Sequence, residues 1–310
     1  MLETPTLGSP RFFRLVRAWG WLVPVLLLAL ASLKSPAQSS TVTLTPAIVE
    51  VGSPALICVN APQAASTDLR PEGEWMGRNL QFFRGQGSQT WFALAGVDVE
   101  AAAGPSTLRI TARSPGSAGL DLSQSVDILP AHYRTGSLSV SPKFVSPGPA
   151  ALKQIKADAE LKARVFAASA AEPLWTGSFR PPVSAEPTDS FGTRRMFNGK
   201  LASIHKGMHF RARLGTAVRA GNSGVVVLAR PLYYEGNCVV IDHGLGLFTI
   251  SMHFSRIDVR EGQHVAAGEQ LGLSGATGRV TGPHLHWAVR WQDAYLDPAK
   301  LLKLDLSGVR

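Results

Sequence analysis

The chain has 310 residues, of which 45% are hydrophobic and 17% are charged, so it can bury a sizeable core and is not disordered throughout. Two cysteines are too few for a disulfide-rich scaffold or a cysteine-based zinc finger, and we expect Cys58 and Cys238 to be buried and unpaired. The net charge of +9 favours anionic surroundings such as a cell-wall polymer or a membrane surface. No basic cluster is interleaved with aromatic residues, and we therefore expect no nucleic-acid partner.

The first 37 residues have the composition of a secretory signal. Three arginines precede an apolar run at residues 19–31, and the small residues Ser35, Pro36 and Ala37 follow as a signal-peptidase site. The run is shorter than the roughly 20 residues that span a bilayer. Residues 1–37 are therefore predicted to be a signal peptide that directs export to the periplasm or cell envelope. An uncleaved segment would instead associate the chain with the inner membrane.

Residues 38–130 are predicted to form a β-sandwich-like accessory domain. Short apolar runs alternate with polar residues and are cut at regular spacing by Gly, Pro, Asn and Ser. This stretch contains no histidine and no cluster of acids with the spacing of metal ligands. We predict a structural or positioning role for it, and expect a fragment that begins near Pro187 to keep the chemistry of the chain.

Residues 131–190 are predicted to be a connecting segment. Residues 150–171 are rich in helix formers with apolar residues near helical spacing, which predicts a short connecting helix. Four prolines then mark an extended linker that ends near Phe191.

Histidines are concentrated in the last third of the chain, where seven of the eight lie at residues 205–286. Histidine is the commonest metal ligand and the usual acid–base residue near neutral pH. Because alternate residues of a strand point to the same face, His284 and His286 are expected to face one cleft. His205 and His209 are close in sequence, with a glycine between them, and can converge on one ion. Three protein ligands with one open position are the arrangement of catalytic zinc.

Three further histidines lie in this region. His253 ends a predicted strand and completes a group of five with the four histidines above. His243 and His264 lie in turn segments, and we expect them to be turn residues and not ligands.

Several spaced motifs in this part of the chain occur in a characteristic order. They are FGTRR at 191–195, FNGK at 197–200, HKG at 205–207, GTAV at 215–218, IDHG at 241–244, MH at 252–253 and GATGRVTGPHLH at 275–286. In this order they resemble the lysostaphin/LytM-type peptidoglycan endopeptidases, a family of zinc metallopeptidases. The resemblance covers about a third of the chain, and the last motif is the most specific.

The resemblance implies a role for each of the five histidines. Zinc would be held by His205, by the residue at position 209 and by His286, with His253 and His284 as two further active-site histidines. The family has an aspartate at the position of His209 in this chain. The site would therefore present three imidazoles, where the family presents two imidazoles and a carboxylate.

The resemblance also implies an antiparallel β peptidase domain with a groove, at residues 191–300, followed by a tail at 301–310. The complete fold class is thus predicted as mainly β, with a β-sandwich-like N-terminal domain, a short connecting helix and this C-terminal domain. The Gly-rich segments 220–224 and 274–278 are predicted to be turns that border the groove. Asn198 matches an asparagine next to it.

The function that the resemblance implies is that of an exported zinc metalloendopeptidase. Its cofactor would be Zn²⁺, its substrate the peptide stems of bacterial peptidoglycan, and its reaction the hydrolysis of peptide cross-links. The ion would polarise the scissile carbonyl and supply a water nucleophile, and His253 and His284 would orient that water and move its proton.

Two alternatives stay open. The first is a catalytically silent LytM-type protein that binds cell wall or activates another wall hydrolase, and His209 is its main support. The second is a carrier or sugar-transfer domain, because the hairpin pattern at residues 259–269 is shared with biotinyl and lipoyl carriers. That hairpin has no lysine at its tip, and the secretory signal also argues against a carrier.

Overall fold

β-Strands provide most of the regular structure of this protein, which confirms the predicted mainly β fold class. A computed structural model describes residues 40–60, 70–85, 90–113, 119–137, 147–197 and 200–309. The predicted signal peptide and Asn198 lie outside the described residues. Within the described part of the chain, no helix has both the length and the apolar character needed to cross a bilayer.

The N-terminal part of the described chain consists of two small sheets. Its strands are β1 (Thr41–Thr45), β2 (Val49–Glu50), β3 (Pro54–Asn60), β4 (Glu72–Trp75), β5 (Arg78–Gln81), β6 (Phe83–Arg84), β7 (Trp91–Gly96), β8 (Gly104–Ala112) and β9 (Leu120–Leu129). The first sheet has the order β1-β3-β7-β6 and the second the order β2-β9-β8-β4-β5. Apolar side chains of both sheets, among them Leu94 and Trp75, belong to one buried core.

The rest of the described chain forms a large sheet, a small sheet and two helices. The elements are β10 (Thr135–Ser137), α1 (Pro149–Phe166), β11 (Pro187–Asp189), β12 (Arg194–Phe197), β13 (Lys200–Ile204), β14 (Met208–Phe210), β15 (Ala217–Arg219), β16 (Gly224–Leu232), β17 (Gly236–Asp242), β18 (Leu247–Ile257), β19 (His264–Val265), β20 (Gln270–Ser274), β21 (Leu285–Trp291), β22 (Ala294–Leu296) and α2 (Pro298–Leu301). The large sheet has the order β11-β14-β21-β18-β17-β16-β19, with β15, β20 and β22 attached to it. The small sheet has the order β10-β12-β13.

Helix α1 covers part of one face of the large sheet. A proline occupies its first turn, where the missing N–H costs no helical hydrogen bond. Near its other end, the rings of Phe166 and Phe248 meet edge to face with centroids 5.2 Å apart. Leu152, one of the apolar residues near helical spacing, is nevertheless 54% exposed. The helix therefore rests on the sheet mainly through its C-terminal half.

The helix ends earlier than residue 171, the end that its composition predicts. The hydroxyl of Ser169 donates to the Asp242 carboxylate at 2.6 Å, and the backbone N–H of Ala170 donates to the same carboxylate at 2.9 Å. These bonds hold the chain in a non-helical path after Phe166. A contact from a distant strand thus overrides a run of good helix formers.

The alternation along β21 separates two environments. Leu285, Trp287 and Val289 point into the large core, whereas His286 and Ala288 point to the face that α1 partly covers. The helix therefore leaves open the part of that face where the histidines lie.

The two N-terminal sheets and the large sheet share a core. The described residues between 40 and 309 cluster as one compact unit. A Cβ on Gly96 of β7 would lie 2.4 Å from Cδ2 of Leu296 in β22, so only a glycine allows this approach. The backbone N–H of Tyr295 donates to the Asp98 carboxylate at 2.7 Å. A fragment that begins at Pro187 would expose Leu296, so we expect its free energy of unfolding to be lower than that of the whole chain.

Replacing Leu296 with Ala tests this shared core. Leu296 is fully buried, and truncating a buried leucine lowers the free energy of unfolding by about 2–5 kcal/mol. Urea denaturation measures the change. The matched control is Leu214→Ala, because Leu214 is 67% exposed and its truncation should change stability by less than about 0.5 kcal/mol. Equal effects of the two substitutions would argue against a common core.

Both cysteines are free, as predicted. Cys238 is buried, whereas Cys58 is only half-buried, so the expectation of burial was right for one of them. Burial raises the pKa of both thiols, which keeps them protonated and unreactive at neutral pH.

Candidate metal centre

Three histidines from separate places in the sequence meet at the floor of a cleft. His205 follows β13, His209 lies on β14, and His286 lies directly across from His209 on the neighbouring β21. Nε2 of His205 and Nε2 of His209 lie 3.2 Å and 3.0 Å from Nδ1 of His286. Each of the three offers a ligand atom within 4.8 Å of the others. The structure thus brings together the three residues that the sequence analysis proposed as metal ligands.

Gly207 makes room for this arrangement. A Cβ at this position would lie 2.4 Å from Nε2 of His286 and 2.8 Å from the backbone oxygen of Trp287. Because no side chain fits there, the glycine between His205 and His209 is required by packing against β21.

The three imidazoles are neutral at physiological pH. Burial, and then the positive charge of Arg195, lowers the pKa of His205 to about 4. Burial, and then the positive charge that neighbouring histidines would carry if protonated, lowers the pKa of both His209 and His286 far below its usual range.

The donor set suits a zinc ion. Nδ1 of His205 donates to the backbone oxygen of Ser190 at 3.0 Å. The other ring nitrogen of His205, Nε2, then carries a lone pair that is directed at the cluster. Neutral imidazole nitrogens are zinc ligands, and three of them leave a fourth tetrahedral position open. The residues present therefore fit the metal that the resemblance implies.

His253 and His284 stand beside the three-histidine cluster. Nδ1 of His253 donates to the backbone oxygen of Thr277 at 2.9 Å, and Nδ1 of His284 donates to that of Gly282 at 2.8 Å. Each bond leaves Nε2 with a lone pair. Nε2 of His284 is buried and has no hydrogen-bond partner among the described residues. Burial, and then the charge that His284 would carry if protonated, lowers the pKa of His253 to about 4. The His253 ring is therefore also neutral at physiological pH and has a lone pair that can accept a proton.

The backbone at His253 is strained. Its φ of +68° lies in the left-handed region that costs a non-glycine residue roughly 1–3 kcal/mol. The register between β17 and β18 shifts at this point, where Met252 and His253 stand opposite the single residue Cys238 of β17, which is a β-bulge. The bulge turns the imidazole of His253 into the cleft.

The cleft has a volume of about 590 Å³, and its rim differs in part from the predicted one. Residues 279–283 line it, and they follow directly on the predicted turn 274–278. The other predicted turn, 220–224, lies elsewhere. Its Asn222 is fully buried and accepts a hydrogen bond from the backbone of Thr176 at 3.1 Å, so the segment serves packing and not the groove.

Charged side chains that the sequence analysis missed line the cleft. They are Asp189, Arg195, Lys206, Glu235 and Arg279. Two of them are paired across the fold: Lys206 with Glu100 of the N-terminal part at 2.5 Å, and Glu235 with Lys162 of α1. Because these pairs join distant segments, no local spacing in the sequence could have indicated them.

His243 and His264 lie apart from the cluster. His243 is fully buried, where Nδ1 donates to the backbone oxygen of Ser223 at 2.7 Å and Nε2 accepts from the hydroxyl of Thr249 at 2.8 Å. It is a hydrogen-bonded core residue. His264 is exposed on β19. Neither is placed to bind a metal at the cleft.

The burial of His243 predicts a loss of stability in mild acid. Burial lowers its pKa to about 4 from an ordinary value of 6.5, so the unfolded chain binds more protons between these pH values. Stability should therefore be fully present above pH 6.5 and fall as the pH drops. We expect His243 to lower the free energy of unfolding by about 2 kcal/mol between pH 7.5 and pH 5.

Urea denaturation of metal-free protein at the two pH values checks this expectation. His243→Gln removes the titrating group. Between the two pH values, the free energy of unfolding of this variant should decrease by about 2 kcal/mol less than that of the original chain. An unchanged pH dependence would show that another group is responsible.

The fold and the cluster define a β protein with a candidate metal centre in an open cleft. Residues 203–298 match the family model of Peptidase family M23. The C-terminal part of the chain is therefore an M23 peptidase domain, which confirms the resemblance seen in the motifs.

Curated relatives match this part of the chain. The peptidoglycan DD-endopeptidase ShyA of Vibrio cholerae is 46% identical over 101 residues, which are 32% of this chain and 24% of that protein. The DD-carboxypeptidase/endopeptidase Mpg of Neisseria meningitidis is 38% identical over 124 residues, which are 40% of this chain and 29% of that protein. This chain thus spans about a quarter of the length of these relatives.

The likeness to one solved structure extends further. A Pseudomonas aeruginosa protein assigned to peptidase M23 superposes with a TM-score of 0.56 at 28% identity, over 76% of this chain and 89% of that one. Because this coverage is far wider than residues 203–298, the similarity includes part of the N-terminal half.

Proposed function

We propose that this chain is an exported zinc metalloendopeptidase that hydrolyses peptide cross-links of bacterial peptidoglycan. The observation that carries the proposal is the convergence of three neutral imidazole nitrogens, from His205, His209 and His286, beside the unpartnered Nε2 of His284. The M23 domain and the two relatives named as peptidoglycan peptidases support the substrate class.

The proposed site divides the chemistry among the five histidines. When bound, zinc would polarise the scissile carbonyl and lower the pKa of a water molecule that then attacks it. His205, His209 and His286 would hold the ion. His253 and His284 present Nε2 lone pairs to the cleft, where both would orient the water and one of the two would accept its proton. That imidazolium would donate a hydrogen bond to the developing oxyanion and then return the proton to the leaving amine.

His209 alters the charge of the proposed centre. Three neutral imidazoles leave the ion with more positive charge than two imidazoles and a carboxylate, which favours deprotonation of the bound water. Imidazole is also bulkier than carboxylate, and its ring has to be aimed by a neighbouring group.

Purified full-length chain incubated with cross-linked muropeptides tests the function. We expect about one zinc ion per chain and conversion of muropeptide dimers to monomers, followed by mass spectrometry, with loss of cleavage after a chelator is added. His264→Ala, which alters an exposed histidine outside the cleft, is the matched control and should cleave normally.

Two other outcomes point elsewhere. A chain that binds zinc and retains muropeptides without cleaving them is the silent cell-wall binder, and His209 is the feature that favours this second candidate. A chain that neither binds zinc nor cleaves contradicts the enzyme proposal outright.

A further inference from the structure

The carboxylate of Asp189 lies on the outer side of His205 and His209, away from His286. Asp189 lies on β11, and the register of β11 and β14 places it directly across from His209. Its Oδ2 lies 3.2 Å from Nδ1 of His205 and 3.9 Å from Nδ1 of His209. One oxygen atom thus faces the outer nitrogens of two candidate ligands, whose inner nitrogens face His286.

Asp189 is itself held in place. Its Oδ1 lies 3.2 Å from the hydroxyl of Thr193, which shares its proton with the backbone oxygen of Ser190 at 2.8 Å, and its Oδ2 accepts a hydrogen bond from Nη2 of Arg195 at 3.3 Å. The side chain is 30% exposed, so its charge is only partly screened by water. A carboxylate anchored from two sides can orient a neighbouring imidazole and does not simply follow it.

We propose that Asp189 is a positioning residue that supplies, from β11, the carboxylate that position 209 lacks. It faces the Nδ1 atoms of His205 and His209, its charge favours the orientation in which both Nε2 atoms point inward, and it offsets the charge of a bound cation. This inference rests on the metal centre of the proposed function.

The physical basis is general. A carboxylate next to the outer nitrogen of a ligand histidine fixes the tautomer and the ring orientation and makes the inner nitrogen a stronger donor. In this chain Ser190 accepts the hydrogen bond of His205, so the effect of Asp189 there is electrostatic. At His209 the 3.9 Å separation is too long for a hydrogen bond, and the carboxylate acts through its charge and by setting the ring's surroundings.

Zinc affinity of the full chain tests the proposal without any peptide substrate. Asp189→Asn keeps the size of the side chain and removes its charge, and we expect the zinc dissociation constant to rise about 10- to 100-fold. Competition with a chromophoric chelator measures the constant. The absorption spectrum of bound Co²⁺ should change as well, because ligand orientation changes. Asp189→Glu restores the charge and should recover part of the affinity.

A matched control and a second background separate this role from a general loss of structure. Asp258→Asn removes a carboxylate that pairs with Arg256 on the surface, and it should leave zinc affinity unchanged. In a His209→Asp background a carboxylate enters the ligand set, so Asp189→Asn should cost less affinity there than in the original chain.

The outcomes distinguish this inference from the proposed function. If the original chain binds zinc and Asp189→Asn binds it equally well, the role of Asp189 is overturned and the metal centre stands. Asp189→Asn could also lower zinc affinity equally with His and with Asp at position 209. That result would overturn the proposal that Asp189 supplies the carboxylate that position 209 lacks. If the original chain binds no zinc, both the metal centre and the inference fail.

Discussion

Replacing His286 with Ala should abolish stoichiometric zinc binding and, with it, all hydrolysis. His286 is the residue that both other candidate ligands face, with Nε2 of His205 and of His209 at 3.2 Å and 3.0 Å from its Nδ1. Two imidazoles alone do not make the three-ligand arrangement of a catalytic zinc site. Elemental analysis after dialysis gives the zinc content per chain.

The control for this substitution is again an exposed histidine. His264→Ala should keep one zinc per chain, because His264 lies on β19 outside the cleft. Thermal unfolding in the presence of a chelator checks that the His286 variant still folds. If the variant retains one zinc per chain, the proposed ligand set is wrong.

Replacing His253 with Asn should lower the turnover number about 10²- to 10⁴-fold, the usual contribution of general acid–base catalysis, while zinc stays bound. Asn is the informative substitution because His253 has a φ of +68°, a conformation that Asn tolerates better than Ala. The variant therefore removes the imidazole without adding backbone strain. Muropeptide cleavage and zinc content are measured on the same preparation.

A second left-handed residue provides the matched control. Gln292 has a φ of +51° and lies between β21 and β22, away from the cleft lining, so Gln292→Asn should leave the rate unchanged. If His253→Asn loses zinc together with activity, His253 is a metal ligand and not only an acid–base residue. A rate equal to that of the original chain would remove it from the acid–base chemistry.

Local geometry explains why so much of the site could be predicted. The side chains of a strand alternate with a period of two, so His284 and His286 had to face the same way once that stretch was extended. Close spacing around a glycine did the same for His205 and His209. These relations involve few residues and no distant partner, which is why the two pairs could be named from the sequence. The role of each of the five histidines came from the resemblance in motif order.

Contacts between distant segments account for what could not be predicted. Asp189 reaches the cluster only because β11 pairs with β14. The chain beyond helix α1 leaves the helical path where Ser169 and Ala170 bond Asp242 on β17. The segment 220–224 reads as a turn in isolation, but the fold places Asn222 in the interior, away from the groove.

The sequence by itself determined the mainly β class and the pairs of histidines, because composition, alternation and spacing are local properties, and the order of its motifs carried the LytM-type resemblance that assigned the histidines their roles. Only the tertiary structure decided three further matters. It placed Asp189 behind His205 and His209, it joined the N-terminal sheets to the large sheet through Leu296, and it set the charged rim of the cleft. Each of these three features depends on which strands become neighbours. The pairing of strands is decided by the free energy of the whole core and not by that of any one segment.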